Sequence, residues 1–160
     1  FATCFAISQV HAAEPIQLSF DDLLHRPIGA LGIDIGSSAK RVQGQKIRIR
    51  GFMVKSEENL FGQFYLTSLP IQMSEHADGP ANDLPASAVL VRLDPSQSTW
   101  VVAHQPGPIV LEGILSIGRY EDALGNVSWF QLQRRTEPVV LVVGEGWSLQ
   151  EFRLVEVVFL

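Results

Sequence analysis

One short stretch of the chain gathers side chains that could bind a metal ion. Residues 74–85, SEHADGPANDLP, contain His76, Asp78 and Asp83. One imidazole and two carboxylates form a ligand set that suits Zn²⁺ or Mn²⁺ when the geometry is right. His104, in VVAHQPGP, could join them if both loops open at the same end of the fold. These four residues therefore predict a site for a divalent metal cofactor such as zinc.

The same stretch has two other interpretations. Asp78-Gly79 and Asn82-Asp83 are ordinary turn chemistry, so the loop could be inert. His76 beside a carboxylate could also act as a general acid or base, so a small hydrolase using His76 and Asp83 stays open as a third hypothesis. No H-E-x-x-H, G-x-S-x-G or C-x-x-C motif occurs in the chain. The sequence favours binding without catalysis, and we assign no catalytic residue.

A second candidate surface is basic and would bind a partner. Lys46, Arg48 and Arg50 alternate with Ile47 and Ile49, so a strand would place the three cations on one face. Such a face could attract an acidic partner or an anionic lipid even though the net charge of the chain is -5. A solvated strand that resists edge-to-edge pairing explains the same residues. The negative total argues against nucleic acid as the partner.

Short strands must position both surfaces. Alternation or continuous apolar character marks strands in GQKIRIRGFMVK, GQFYLTSLPI and SAVLVRLD, and IVLEGILSIGR and NVSWFQLQR form a hairpin across a Leu124-Gly125-Asn126 turn. Gly51 interrupts the first of these strands, as expected where a strand bends around a small barrel. The pattern predicts a mainly β fold, a small antiparallel OB-like β-barrel with a short N-terminal helix.

The predicted domain organisation has three parts. Residues 1–13 are apolar or small and end in VHAA, which is typical of the end of a signal peptide. Residues 14–45 form the N-terminal helix, capped by Ser19, and a Gly/Ser-rich linker. Residues 46–160 form the barrel, with a buried strand at 139–143 and a last strand near the end. Cys4 is the single cysteine and falls in the leader, so we expect a periplasmic or secreted protein without a disulfide framework.

Several segments in order resemble the DUF3299 family of exported bacterial proteins. They are LSFDDLL, VQGQKIRIRGFMV and IVLEGILSI, and the likeness covers residues 18–133. The resemblance implies an OB-like barrel of unassigned activity and, for some members, an association with ABC-type transport systems linked to metal supply. Members carry Cys-x-His before several prolines; His76 and Pro80 match, whereas Ser74 stands at the cysteine position. The resemblance therefore implies no thiolate-dependent role here.

These observations lead to two function hypotheses. The first is an exported non-enzymatic binding module, a metal-related or transporter-associated accessory protein that contacts a membrane transporter component or another envelope protein. The second is a structural or protein-interaction barrel in which the 74–85 loop is inert and the basic strand face binds the partner. We expect no apolar run in the remainder of the chain to span a membrane.

Overall fold

The computed structural model describes the part of the chain between residues 14 and 134, with gaps. The described residues are 14–25, 32–56, 60–73, 75–76, 79–80 and 84–134, and of residues 75–76 and 79–80 the backbone alone is described. The predicted leader at 1–13 and the strands predicted after residue 134 lie outside the described residues. Within these residues no helix combines the length and apolar character that a bilayer-spanning helix needs.

The described part is mainly β, as predicted. Its strands are β1 (Ile16–Leu18), β2 (Lys46–Met53), β3 (Lys55–Ser56), β4 (Gln63–Thr67), β5 (Gln72–Met73), β6 (Glu75–His76), β7 (Gly79–Pro80), β8 (Val89–Arg92), β9 (Pro108–Glu121) and β10 (Val127–Gln133), and its α-helix is α1 (Ser37–Arg41). The predicted hairpin is confirmed as β9 and β10, which pair antiparallel from Val127–Glu121 to Gln133–Ile114.

Five strands form a ring of hydrogen-bonded neighbours. Starting at β2, the order is β2, β4, β8, β10 and β9, and β9 pairs with β2 again. Four of these contacts are antiparallel, but β8 and β10 run parallel. The predicted antiparallel arrangement therefore holds for four contacts of the ring and is wrong for the β8–β10 contact. Alternating side chains indicate which face a residue occupies and not which strand lies beside it, so the sequence pattern contains no signal for this pair.

The two edges of β2 have different partners. One edge pairs with β9 along the strand, from Lys46–Ile114 to Phe52–Pro108. The other edge pairs first with β1, in parallel, and then with β4 at Phe52–Thr67 and Met53–Leu66. Gly51 lies at the change of partner. A Cβ there would approach a ring carbon of Phe20 and the carbonyl oxygen of Thr67, each to 2.7 Å, so a residue without a side chain is required at this crossing.

The N-terminal segment corrects the predicted short helix. The residues after Ser19 form one 3₁₀ turn, Phe20–Asp22, in which the Asp22 carboxylate accepts from the Ser19 amide at 3.0 Å and from the Ser19 hydroxyl at 2.7 Å. The turn does not extend because Leu24 then bridges antiparallel to Ile35. Tertiary pairing outweighs the local helical preference here. The predicted linker in turn contains the start of α1.

Apolar side chains are buried on both faces of β4. Phe64 and Leu66 lie in the main core inside the ring, with residues such as Ile49 and Phe130. Tyr65 points to the other face, where it joins a second cluster with Val54, Ala88 and Leu90 that Ile71, Met73 and Leu84 help to cover. Although Tyr65 is on the face away from the main core, it is only 2% exposed. The segments between β4 and β8 therefore act as a second layer over the ring.

Replacing Gly51 tests the close crossing of β2. Gly51→Ala should lower the free energy of unfolding by about 1–3 kcal/mol, because the added methyl would clash with backbone as well as side-chain atoms. Gly118→Ala, in β9, is the matched control, since its nearest neighbour would be the Tyr120 hydroxyl at 3.5 Å, an ordinary contact. Urea unfolding of the two variants measures the difference. Equal midpoints would contradict the assigned role of Gly51.

Candidate functional site

A pocket lies at the end of the ring where β2 and β4 meet. We call it the rim pocket; Met53, Tyr65, Met73, His104 and Asn126 are among its lining residues, and it encloses ≈ 130 Å³. A second hollow of ≈ 280 Å³ shares Met53 and His104 with it. The pocket is therefore built by the end of β2, by β4, by the first segment after β4, by the segment before β9 and by the β9–β10 turn.

His104 is held in a defined orientation beside this pocket. Its Nε2 lies 3.2 Å from the Met53 carbonyl oxygen. A carbonyl only accepts hydrogen bonds, so Nε2 donates and carries the proton of the neutral ring, and the lone pair is at Nδ1. Histidines that bind metal ions commonly have their other ring nitrogen fixed by a carbonyl in this way. Of the four predicted metal ligands, His104 is thus the one whose side chain the structure describes, and its geometry suits a ligand.

The other three predicted ligands follow Met73 along the chain. The backbone of His76 lies in β6, which pairs with β7 through Glu75–Pro80 and His76–Gly79. Asp78 and Asp83 lie outside the described residues. Among the residues that are described, no three His, Cys, Asp or Glu side chains come together. Because Met73 lines the rim pocket, the segment that carries His76 and Asp78 starts at the wall that His104 also lines.

A buried polar cluster borders the pocket opposite these loops, and the sequence analysis missed it. The Tyr65 hydroxyl donates to the Asp122 carboxylate at 3.0 Å. The same carboxylate accepts from the backbone amides of Leu124 and Asn126 and from the Asn126 side-chain amide, each at 2.9 Å. Four donors satisfy this buried charge and fix the β9–β10 turn. The one available signal was an Asp four residues before an Asn in a predicted turn.

The cluster changes the acidity of Tyr65. Burial is the largest cause and the adjacent Asp122 carboxylate adds to it, so the pKa of Tyr65 is raised far above its ordinary value near 10. The hydroxyl therefore stays protonated and continues to donate to Asp122 across the physiological range. It is a fixed structural donor rather than a proton-transfer group.

The predicted basic face is partly neutralised. Arg48 contacts Oε1 of Glu112 through Nε at 2.8 Å and through Nη2 at 2.6 Å, and Lys46 contacts Oε2 at 3.1 Å. Partial burial opposes the ionisation of Glu112, but the hydrogen bonds and charges of Arg48 and Lys46 outweigh it, so the pKa of Glu112 is lowered. Arg50 is exposed, and no ion pair joins it to another described residue. Glu112 therefore offsets two of the three predicted cations.

Ser37 and Lys40 match the S-x-x-K spacing of some serine nucleophiles, which the sequence analysis also missed. Both residues are exposed on α1, and the Lys40 ammonium lies 3.4 Å from the Asp34 carboxylate. A lysine that serves as a base is desolvated or placed beside another cation. An exposed, ion-paired Lys40 meets neither condition, so this match carries no activity.

The Tyr65–Asp122 contact can be tested through its pH dependence. Tyr65→Phe should lower the free energy of unfolding by about 1.5–3 kcal/mol at neutral pH, because the Asp122 carboxylate loses a buried hydrogen-bond donor. Since folding raises the pKa of Tyr65, its stabilising contribution is complete below the unfolded value of about 10 and is lost as the pH rises above it. The difference between wild type and variant should therefore shrink above about pH 10.

Spectroscopic titration provides the control for Tyr65. The chain has two tyrosines, so Tyr120→Phe leaves Tyr65 as the only one. Its absorbance should show no ionisation near pH 10, the ordinary midpoint. An ordinary midpoint in the folded protein would show that the buried hydrogen bond is absent.

Replacing Glu112 tests the neutralised basic face. Because folding lowers the pKa of Glu112, its contribution is present above the unfolded value of about 4.3 and is lost as the pH falls below it. Glu112→Gln should lower the free energy of unfolding by no more than about 1 kcal/mol at pH 7, since the Arg48–Glu112 pair is partly exposed. In acid the substitution should leave the free energy of unfolding unchanged. Chemical unfolding at both pH values measures this. A cost that persists in acid would assign Glu112 a packing role instead.

This chain is similar in structure to a solved bacterial protein. The crystal structure of a DUF3299 family protein from Pseudomonas aeruginosa PAO1 is similar to this chain, with a TM-score of 0.43 and 16% sequence identity, over 76% of this chain and 93% of that chain. No protein-family model and no curated protein matches the sequence. The family of that solved structure is the one that the sequence motifs resemble.

Proposed function

We propose that this chain is an exported, non-enzymatic binding module built on an OB-like barrel, and that its rim pocket binds a metal ion. The observation that carries the proposal is the placement of His104. Its Nε2 is fixed by the Met53 carbonyl, which leaves the Nδ1 lone pair for a ligand in a pocket whose wall also includes Met73. The chain continues from Met73 into the segment with His76, Asp78 and Asp83.

The strand order supports the barrel. Around the ring the strands follow the order β2, β4, β8, β10 and β9, and β9 pairs with β2 again. Counted along the chain, these are the first, second, third, fifth and fourth ring strands. The third and fifth are the parallel pair. An OB-like barrel has this strand order, which supports the proposal, and in such barrels ligands bind against the second and third strands and their neighbouring loops. The rim pocket uses Tyr65 of the second strand and Asn126 of the last connection.

Chain length allows the predicted ligands to meet. Asp78 is five residues beyond Met73, and each residue spans at most about 3.6 Å, so the segment can extend about 18 Å or fold back over the pocket. His76, Asp78 and Asp83 could then complete a divalent site around His104, with zinc as the example. His104 alone is a weak ligand, so an ion would have to recruit further donors from the wall or from this segment.

Exposed apolar side chains near the pocket support a partner at the same end. Phe61 is 62% exposed and Leu69 is 68% exposed. Phe61 follows Leu60, a lining residue of the rim pocket, and Leu69 precedes Pro70, which lines the second hollow. Each of them is adjacent in the chain to a residue that lines a pocket, and exposed apolar residues beside a pocket are typical of interaction sites. A transporter component or another envelope protein docking here would meet the bound ion directly. The basic face is the weaker alternative, because Glu112 offsets Lys46 and Arg48.

Thermal unfolding with added metal tests the proposal. The full chain is melted with chelator and then with Zn²⁺, Mn²⁺ or Ag⁺, together with His104→Gln. An ion at about 100 times its dissociation constant adds about 2.7 kcal/mol, which should raise Tm by at least about 5 °C. We expect His104→Gln to lose that rise. His25→Gln is the control, since His25 is exposed and does not line the pocket.

Two outcomes would contradict the proposal. If none of the ions raises Tm, the rim pocket is not a metal site. If His104→Gln keeps the full rise, the ion binds elsewhere. His76→Ala and Asp83→Ala then ask separately whether the 74–85 segment supplies ligands, because their effect is independent of the role of His104.

A further inference from the structure

The described wall of the rim pocket includes three side chains with soft or borderline donor atoms. The chain has two methionines, Met53 and Met73, and both line this pocket together with His104. Thioether sulfur is a soft ligand that selects Cu(I), while imidazole suits copper and zinc alike. Met53 belongs to the main core and Met73 packs against the second cluster, so the two methionines reach this pocket from different layers.

The side chains that line the pocket carry no formal charge, and the Asp122 carboxylate hydrogen-bonded to two of them, Tyr65 and Asn126, is already held by four donors. None of the lining residues of the rim pocket is Asp, Glu, Lys or Arg. Moving an ion out of water costs free energy that grows with the square of its charge, so a divalent ion is penalised about fourfold more than a monovalent ion of similar size. Neutral ligands offset little of that cost. An ion bound by the thioether and imidazole groups of this wall is therefore expected to be a monovalent soft ion rather than Zn²⁺ or Mn²⁺.

We propose that the rim pocket binds Cu(I) through the Met53 and Met73 thioether sulfurs and Nδ1 of His104. This inference rests on the proposed function, because it names the class of ion at the same pocket. The Met53 sulfur already accepts a hydrogen bond from the Gln105 amide at 3.3 Å. A thioether has a second lone pair, and methionine is unbranched and flexible, so this contact leaves the sulfur able to bind.

A divalent site would need different residues. Zinc would have to draw the carboxylates of Asp78 and Asp83 to His104 to balance its charge, whereas Cu(I) needs the methionines and no carboxylate. Binding of Cu(I) and binding of Zn²⁺ should therefore depend on different residues. Methionine variants should weaken Cu(I) alone, and aspartate variants should weaken Zn²⁺ alone.

The experiment compares ions and variants in one background. The full chain carries Cys4→Ser, which removes its single thiol, a strong competing site for soft ions. Silver nitrate in chloride-free buffer serves as a stable Cu(I) substitute, and Cu(I) itself is titrated anaerobically against a chromogenic Cu(I) chelator. The variants are Met53→Leu, Met73→Leu and His104→Gln. Leu60→Val is the matched control, because Leu60 lines the same pocket and has no donor atom.

We expect Ag⁺ and Cu(I) to bind and Zn²⁺ and Mn²⁺ to have little effect. Each methionine variant and His104→Gln should weaken Cu(I) affinity at least about tenfold, because even the mutation of a residue that only supports a metal ligand lowers affinity by this factor. Leu60→Val should keep the parent affinity. Met73→Leu is the cleaner of the two methionine tests, since Met73 is only partly buried and Met53 also fills the core.

The remaining outcomes separate this inference from the proposed function. A His104-dependent rise in Tm with Zn²⁺ or Mn²⁺, without Ag⁺ or Cu(I) binding, would leave the metal pocket standing and overturn the soft-ion inference. Cu(I) binding that survives both methionine variants would overturn it too. If none of the four ions acts through His104, both proposals fail together.

Discussion

The structure depends on how β2 shares its hydrogen bonds. β9 occupies one edge of β2, so the ring can close only at the other edge, and there β1 has already taken the first half of the strand. Closure rests on the pairs Phe52–Thr67 and Met53–Leu66. Met53 is thus at once the last ladder residue of β2, a core side chain and a wall of the rim pocket. Beyond Met53 the Val54 amide still donates to the Tyr65 carbonyl oxygen at 2.9 Å, and the Lys55 amide then donates to the Ile71 carbonyl oxygen at 3.0 Å. The pocket lies where the chain after β2 changes its partner from β4 to the segment after β4.

Burial of both faces of β4 has a cost that the β9–β10 turn offsets. Covering the outer face places the Tyr65 hydroxyl in an apolar cluster, where an unsatisfied donor would cost about 1–3 kcal/mol. Asp122 accepts that hydrogen bond and would itself be costly without its other three donors. Each group makes the burial of the other tolerable. The second layer and the turn are therefore coupled, although they lie far apart in sequence.

The sequence predicted strands well and their neighbours poorly. Alternation located β2, β4, β8 and the β9–β10 hairpin, because a period of two reports which side chains are buried. It missed β1, the parallel β8–β10 pair and the 3₁₀ turn, because these depend on contacts between distant segments. Among the site residues it selected His104 by type, and it missed Met53, Met73 and Tyr65, which resemble ordinary core residues until their common pocket is visible. The roles of Asp78 and Asp83 stay predictions.

The hydrogen bonds around the pocket determine which polar atoms remain available to a ligand. The Tyr65 hydroxyl and the Asn126 amide are committed to Asp122, and the Met53 carbonyl accepts from His104. These bonds point the strongest polar groups at each other and away from a ligand. Nδ1 of His104 keeps a lone pair, and both methionines line the same pocket as His104. The interactions that stabilise the fold thus also restrict the chemistry of the pocket, because they engage the Tyr65 hydroxyl, the Asp122 carboxylate and the Met53 carbonyl oxygen.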